Sequence, residues 1–403
     1  MSVQHPISFL VAPSGFKESL AAEEVAAAIA IGIRRVVPGA RIRLLPLVDG
    51  GEGTAAAMAA STGGRIERRS VTGPVGEQVD SHFAILGDGT TAVVEMAAAA
   101  GLSLVPRDRR DPTRTTTRGV GELMVAALDA GCTRIVVGCG DSGTSDGGAG
   151  ALQALGARLL DAHGSEIGAG ARALAKLDRI DMDGLDPRLA DVAIEVACNP
   201  TNVLTGPRGV ARVFGPQKGA DPAQVDRLAK ALKRWVRTLE RDAAYPAGTD
   251  LRRGLGTGAS GGLGAGLAAI GATLLPRFEV LLESIDLDGA IAEADLVITA
   301  EGSIDRQTPN GKVPAEVASR AQRLHVPVLA LAGTIGSDAG RNYDIGIDAI
   351  QCVLPSPVEL QEAFDRGAEF VADGAERVVR TLLLGAALAR TADAPVAEAL
   401  AVA

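Results

Sequence analysis

The chain has 403 residues, 47% apolar and 22% charged, with 50 Gly but only one Trp, two Tyr and seven Phe. That length is enough for two or three domains, each with its own core, and the composition excludes wholesale disorder. A formal net charge of −9 argues against a nucleic-acid or anionic-membrane surface, and so few aromatics leave little for base stacking.

In chain order, residues 7–12 read as a strand, 21–36 as a helix with Glu23 and Glu24 in its first turn, and 41–48 as the next strand. Residues 65–71 and 78–86 alternate about Gly73-Pro74-Val75-Gly76, which predicts a local antiparallel excursion. Strands are expected again at 133–138, 191–197, 295–300 and 326–332, each followed by glycine, a polar loop and a helix. That alternation predicts α/β domains with mainly parallel sheets. Glycine-dense punctuation at 61–76 and 248–271 suggests two chain crossings, and residues 391–403 read as a weak helix or tail. The apolar start, 7–12, has no basic region before it, and no apolar run approaches the roughly 20 residues of a membrane helix, so a cytoplasmic protein is expected. Cys132, Cys139, Cys198 and Cys352 form no CxxC pair and read as small core residues.

Five stretches place glycine beside acids and hydroxyls. The first, Ser14-Gly15-Phe16-Lys17, follows a strand, where ligands of open α/β sheets bind. The second, Asp49-Gly50-Gly51-Glu52, allows close backbone approach and offers oxygens to a hydroxyl or cation. The third spans 138–150 with Asp141 and Asp146, and a glycine-rich loop entering a helix is a phosphate cradle. The fourth, with Gly258, Ser260, Gly261 and Gly262, reads either as a nucleotide loop or as close helix packing. The fifth runs from Glu301-Gly302 through Asp305-Arg306-Gln307 to Gly311-Lys312 without a Walker pattern. Acids, scattered lysines and anion loops favour phosphoryl transfer, which needs positioning and charge neutralisation more than covalent chemistry. The histidines His5, His82, His163 and His325 fall outside every cluster, which disfavours a Ser-His-Asp route, and a missing GxGxxG disfavours an NAD-dependent dehydrogenase.

Together with Val94-Glu95-Met96-Ala97, Thr115-Thr116-Thr117, Gly119-Val120-Gly121-Glu122-Leu123 and Phe214-Gly215-Pro216-Gln217-Lys218-Gly219, these stretches resemble the glycerate kinase family that includes bacterial glycerate 2-kinases. The resemblance implies ATP- and Mg²⁺-dependent phosphorylation of D-glycerate by two α/β domains, one inserted in the other, with the active site in the interdomain cleft. A discontinuous Rossmann/flavodoxin-like domain would comprise 1–70 and 285–403, with 71–284 inserted. Lys17, Asp146 and Asp305 are then the expected catalytic residues, Asp146 or Asp305 orienting or deprotonating the attacking hydroxyl. Substrate contacts are expected from Ser14, Asp49, Gly50, Gly51, Glu52, Asn202, Arg306 and Gln307, the Gly50-Gly51 amides holding the carboxylate. ATP contacts are expected from Gly258, Ser260, Gly261, Gly262, Gly302 and Lys312, and metal contacts from Glu301 and Asp141. An acidic protein with this task must focus its few cations, which singles out Lys17, Lys218, Arg306 and Lys312.

The sequence departs from the family pattern at Ser14-Gly15 and Glu18, at Asn199 where an aspartate is usual, at Asp141 where an acid is gained, and at Arg118 and Glu316. The exchange of acids suits either a relocated charge or a different acceptor. Two alternatives are therefore a kinase of another small sugar acid, such as a four-carbon aldonate, and a non-catalytic organic-acid-binding regulator.

Overall fold

The computed structural model describes residues 7–16, 19–283 and 285–392, with backbone alone for 389–392. The chain divides into two compact units, Met1–Val48 with Ile285–Ala403 (unit 1) and Asp49–Ser284 (unit 2). The first crossing lies at Val48/Asp49 and not near residue 70. The helix Thr54–Thr62 packs on the strands that follow it, which draws the intervening residues into unit 2.

Unit 1 opens with β1 (Ser8–Val11) and β2 (Arg41–Leu44). Unit 2 follows with β3 (Arg65–Thr72), β4 (Gln78–Ile85), β5 (Thr91–Glu95), β6 (Arg134–Gly138), β7 (Arg158–Leu160), β8 (Arg179–Asp181), β9 (Ala193–Cys198) and β10 (Thr273–Pro276). The chain returns to unit 1 through β11 (Leu296–Ile304), β12 (Val328–Ile335) and β13 (Ala349–Cys352).

The unit 1 sheet has the order β13-β12-β11-β1-β2, and every pairing is parallel. Parallel neighbours need crossovers, supplied by the helix Ala22–Val36 between β1 and β2 and by Val313–Arg323 between β11 and β12. Phe9, Val11, Ile29, Ile33, Leu331 and Phe370 fill the core, each such side chain contributing about 1.5–3 kcal/mol of burial. Strand β11 runs past the expected end at Ala300 to Ile304. Its partner β12 also continues, pairing Glu301 with Ala332, Ser303 with Thr334 and Ile304 with Ile335, so Gly302 lies inside the strand.

In unit 2 the order is β10-β9-β6-β5-β4-β3. Strands β10, β9, β6 and β5 are parallel, while β3 and β4 form the antiparallel excursion read from the sequence. Trp235, Phe83, Met96, Leu123 and Ile135 anchor its core. Cys132, Cys139 and Cys198 are buried, but Cys352 is only half-buried because β13 is an edge strand. Among the described residues no helix is long and apolar enough to cross a membrane. The helix Gly367–Ala392 takes up residues 391–392 of the expected tail, and 393–403 lie outside the described residues.

Candidate active site

Four parallel strands of unit 2 end at one edge, and each delivers chemistry there: β5 ends on Glu95, β6 leads to Asp141, β9 to Asn199 and β10 to Arg277. The turn 49–53 packs backbone to backbone on the start of the 138–150 loop. A Cβ at Gly140 would lie 2.4 Å from the Gly51 Cα, so only glycine permits the approach. The Gly51 amide donates to Asp49 Oδ1 at 3.1 Å, and the Glu52 amide to Asp141 Oδ2 at 3.4 Å. The Gly51 amide, one of the two expected to hold a substrate carboxylate, is thus engaged by an acid. The turn suits hydroxyls or a cation better than an anion. Arg277 balances part of the charge, donating to the Asp49 carbonyl at 2.9 Å and standing 3.4 Å from its carboxylate.

Beneath the turn, Glu95 accepts from the amides of Gly53, at 3.3 Å, and Ala55. Burial pushes its carboxyl up to about 7 despite those amides, and Glu52 and Asp141 add like-charge crowding. Asn199 turns its own loop, accepting from the Thr201 amide at 3.0 Å and hydroxyl at 2.8 Å, so the exchanged positions 199 and 141 follow neighbouring strands.

The third and fourth glycine stretches meet. Gly147 donates to the Gly261 carbonyl at 3.1 Å, and a Cβ at Gly261 would fall 2.1 Å from the Thr144 carbonyl. Ser260, Gly261 and Gly262 all take positive φ, so the helix Ala259–Ala268 begins with a left-handed kink. Gly266 packs on Gly147 and Gly148, as the close-packing reading of the fourth stretch expects, while the kink faces the loop. The Gly258 amide donates to the Asn202 carbonyl at 3.0 Å, and the Ser260 hydroxyl stands at the Cys139 thiol.

Asp146 lies fully buried inside this structure. Its Oδ2 accepts from the Thr117 amide (2.8 Å), the Thr117 hydroxyl (3.0 Å) and the Gly150 amide (3.2 Å), and its Oδ1 from Gly148 (3.2 Å). A carboxylate so caged organises its loop and has no face open to a substrate hydroxyl. Burial raises its proton affinity, opposed by those four donors. Beside it, the buried Lys218 ammonium donates to Ser142 Oγ at 2.8 Å and to the Thr144 carbonyl at 2.6 Å. Desolvation lowers it to about 7, against the pull of Asp146. The hydroxyls of Thr144 and Ser145 are buried and make no hydrogen bond among the described residues.

In unit 1, Ser14 is held at the end of β1, its amide (2.9 Å) and hydroxyl (3.0 Å) both donating to the Ala300 carbonyl. Lys312 pairs with Glu301 at 2.7 Å and donates to the Ser303 carbonyl at 3.2 Å. Glu301 is thereby committed first to a cation. Asp305 closes the turn after β11, accepting from the Gln307 amide at 2.7 Å and, weakly, from Ser303 Oγ at 3.4 Å. Arg306 and Gln307 are exposed. Gly302 lies within β11, between the paired residues Glu301 and Ser303, and not in a loop. Lys17 lies outside the described residues.

The expected residues thus form two sets: Asp49, Gly50, Gly51, Glu52, Asp141, Asp146, Asn202 and Gly258–Gly262 in unit 2, and Ser14, Glu301, Gly302, Asp305, Arg306, Gln307 and Lys312 in unit 1. Asp141 and Glu301, each an expected metal contact, belong to different units. Glu95, Arg277 and the caging of Lys218 were missed. An acid inside the apolar run Thr91–Glu95 and onward was the legible sign, since a charge there must find partners or shift its proton affinity.

A family model described as "Glycerate kinase family" matches residues 9–383. The chain belongs to the glycerate kinase family. It is 48% identical to a glycerate kinase of Bacillus subtilis (strain 168), over 96% of this chain and 99% of that protein. It is 45% identical to a glycerate 2-kinase of Escherichia coli (strain K12), covering 94% and 99%. A crystal structure of a protein described as a glycerate kinase 2, from Salmonella typhimurium LT2, superposes with a TM-score of 0.76 at 45% identity, over 94% of this chain and 99% of that one. Membership makes the protein a phosphotransferase with an alcohol group as acceptor. Two departures from the family pattern find local partners: Arg118 pairs with Glu122 at 3.0 Å and Glu316 with Arg320 at 2.7 Å, both one helical turn apart.

Proposed function

We propose that the protein transfers the terminal phosphoryl group of ATP to the 2-hydroxyl of D-glycerate in the cytoplasm. The family match over residues 9–383 carries the reaction, and the name of the Escherichia coli relative favours the 2-position. In this reading Lys312, aligned by Glu301, neutralises charge on the transferring group, and Asp305 accepts the hydroxyl proton, since Asp146 is sealed in its cage. Arg306 meets the substrate carboxylate, and the acidic turn 49–52 binds hydroxyls. The loops around Gly147 and Gly261 provide amides for phosphate.

Among the described residues no group of three or more His, Cys, Asp or Glu side chains is arranged to hold a metal ion. The donors fit Mg²⁺ arriving with phosphate, which needs one or two carboxylates beside phosphate oxygens and water. Asp141, beside Glu52, would be the protein ligand, and the crowding of both with buried Glu95 is what a divalent cation relieves. When bound, the ion screens phosphate charge.

Phosphorus NMR of the product from ATP and D-glycerate tests the assignment. A 2-phosphoglycerate resonance is expected. Exclusive 3-phosphoglycerate would move the acceptor, and ATP turnover only with a four-carbon aldonate would replace the substrate. The exchange of acids at 199 and 141 is the observation that keeps that second substrate worth assaying.

A further inference from the structure

Away from the strand ends, unit 2 carries a groove of about 860 Å³ between the helix Pro222–Asp242 and the segments around Asp111–Arg114 and Ala171–Ala175. Its volume is that of a small-molecule site. Leu228 and Ala231 give it an apolar floor, while its rim is cationic on a chain whose net charge is −9. Arg227, Lys230, Arg234 and Arg237 recur at helical spacing along one stripe, with Lys233 beside them. Asp111, already paired with Arg114 at 3.3 Å, is the single acid in the lining. Arg234 is partly used, donating to the Leu177 carbonyl. Arg172, Arg227, Lys230, Lys233 and Arg237 have no carboxylate partner among the described residues, although like charges one turn apart repel.

Both walls of the groove also hold the glycine-rich loop. From the same helix, one turn beyond the floor residue Ala231, Trp235 Nε1 donates to the Gly147 carbonyl at 2.9 Å. From the other wall, the residues just after Arg114 reach the loop: Thr115 Oγ1 donates to the Gly143 carbonyl at 3.0 Å, and Thr117 binds Asp146.

We infer that this groove is an effector site for a small organic anion bearing two or more phosphate or carboxylate groups. Its charges meet the rim cations, and its body lies on Leu228 and Ala231. By drawing the two walls together it biases the 138–150 loop that both walls clamp, which is the differential contact that coupling between sites requires. Regulation of turnover rests on the kinase reading, whereas binding does not.

Inorganic pyrophosphate is the probe, titrated into the full chain with a non-hydrolysable ATP analogue saturating the nucleotide site. Calorimetry reports binding, and the emission of Trp235, the sole tryptophan, reports the loop contact. Saturable heat and a parallel shift in emission are expected. K230A/K233A/R237A should weaken binding at least tenfold, with the unfolding midpoint and basal turnover within twofold of the parent. No binding in the presence of the analogue, or equal binding by the triple variant, overturns the site. Binding without any change in Trp235 emission overturns the coupling. An inactive chain that still binds pyrophosphate through these residues loses only the kinase reading.

Discussion

In unit 2 three charges that brace the loops are buried and wired into the backbone, although Glu52 in the turn itself is exposed: Glu95 and Asp146 are 0% exposed and Lys218 is 3% exposed. In unit 1 the counterparts stay within reach of solvent, with the Lys312 side chain 27% exposed in its pair with Glu301, and Arg306 and Gln307 on the surface. A buried charge must be satisfied by the fold and so fixes backbone shape, whereas a half-exposed charge costs the fold little and is free to act on a ligand. Substitutions of these buried groups in unit 2 should therefore strike stability first, and those of the exposed groups in unit 1 turnover first. Trp235, buried in unit 2, lets denaturation of that unit be followed by fluorescence.

The largest effect is expected from Gly261→Ala, where a Cβ meets the Thr144 carbonyl at 2.1 Å in a left-handed conformation. A loss of about 3–4 kcal/mol in urea denaturation is expected. An unchanged midpoint would show that the two glycine stretches are not rigidly packed.

Next come opposite pH dependences of a few kcal/mol. Glu95, raised to about 7 from 4.5, binds more protons folded than unfolded between those values, so its contribution falls as pH rises from about 4.5 to 7. Lys218, lowered to about 7 from 10.5, binds fewer protons folded than unfolded across that window, so stability recovers as pH rises from about 7 to 10.5. Glu95→Gln should flatten the acid limb and Lys218→Met the alkaline limb of stability against pH. Limbs that persist in the variants would place the titration elsewhere.

Asp146→Asn trades an acceptor for a donor facing the Thr117, Gly148 and Gly150 donors, at a cost of about 2–3 kcal/mol. Activity and stability should fall together. Full stability with abolished turnover would restore Asp146 as the proton acceptor.

In unit 1, Lys312→Ala should change stability by less than about 1 kcal/mol but lower kcat on glycerate roughly a hundredfold. Arg306→Ala, at an exposed site, should mainly raise KM, by about tenfold. A stability loss matching that of Gly261→Ala in either variant would end the contrast between the units.

Much of the architecture was legible because hydrophobic period and glycine punctuation are local. The parallel strands followed from the recurring order of strand, glycine loop and helix, and the antiparallel pair β3 and β4 from alternation about Gly73-Pro74-Val75-Gly76. The ends were less legible: β11 continues through Glu301-Gly302-Ser303 only because β12 lies beside it. At the site, Asp141 and Glu52 were chosen as separate features, and the fold brings them together through the close glycine approach of two distant turns. Asp146 looked like a reactive acid for the same reason that it is caged, namely glycines on either side whose amides surround it.

Residue type and spacing are enough to set the class of fold, the family and the stretches where backbone must come close to something. What each stretch approaches is set by how the strands and loops pack in three dimensions. Whether an acid meets solvent, a lysine or four donors depends on which strands stand side by side, and that sets whether its charge acts on a ligand or holds the fold. The net charge of −9 hid a cationic groove in the same way, because a sum over the chain carries no information about which side chains share a surface.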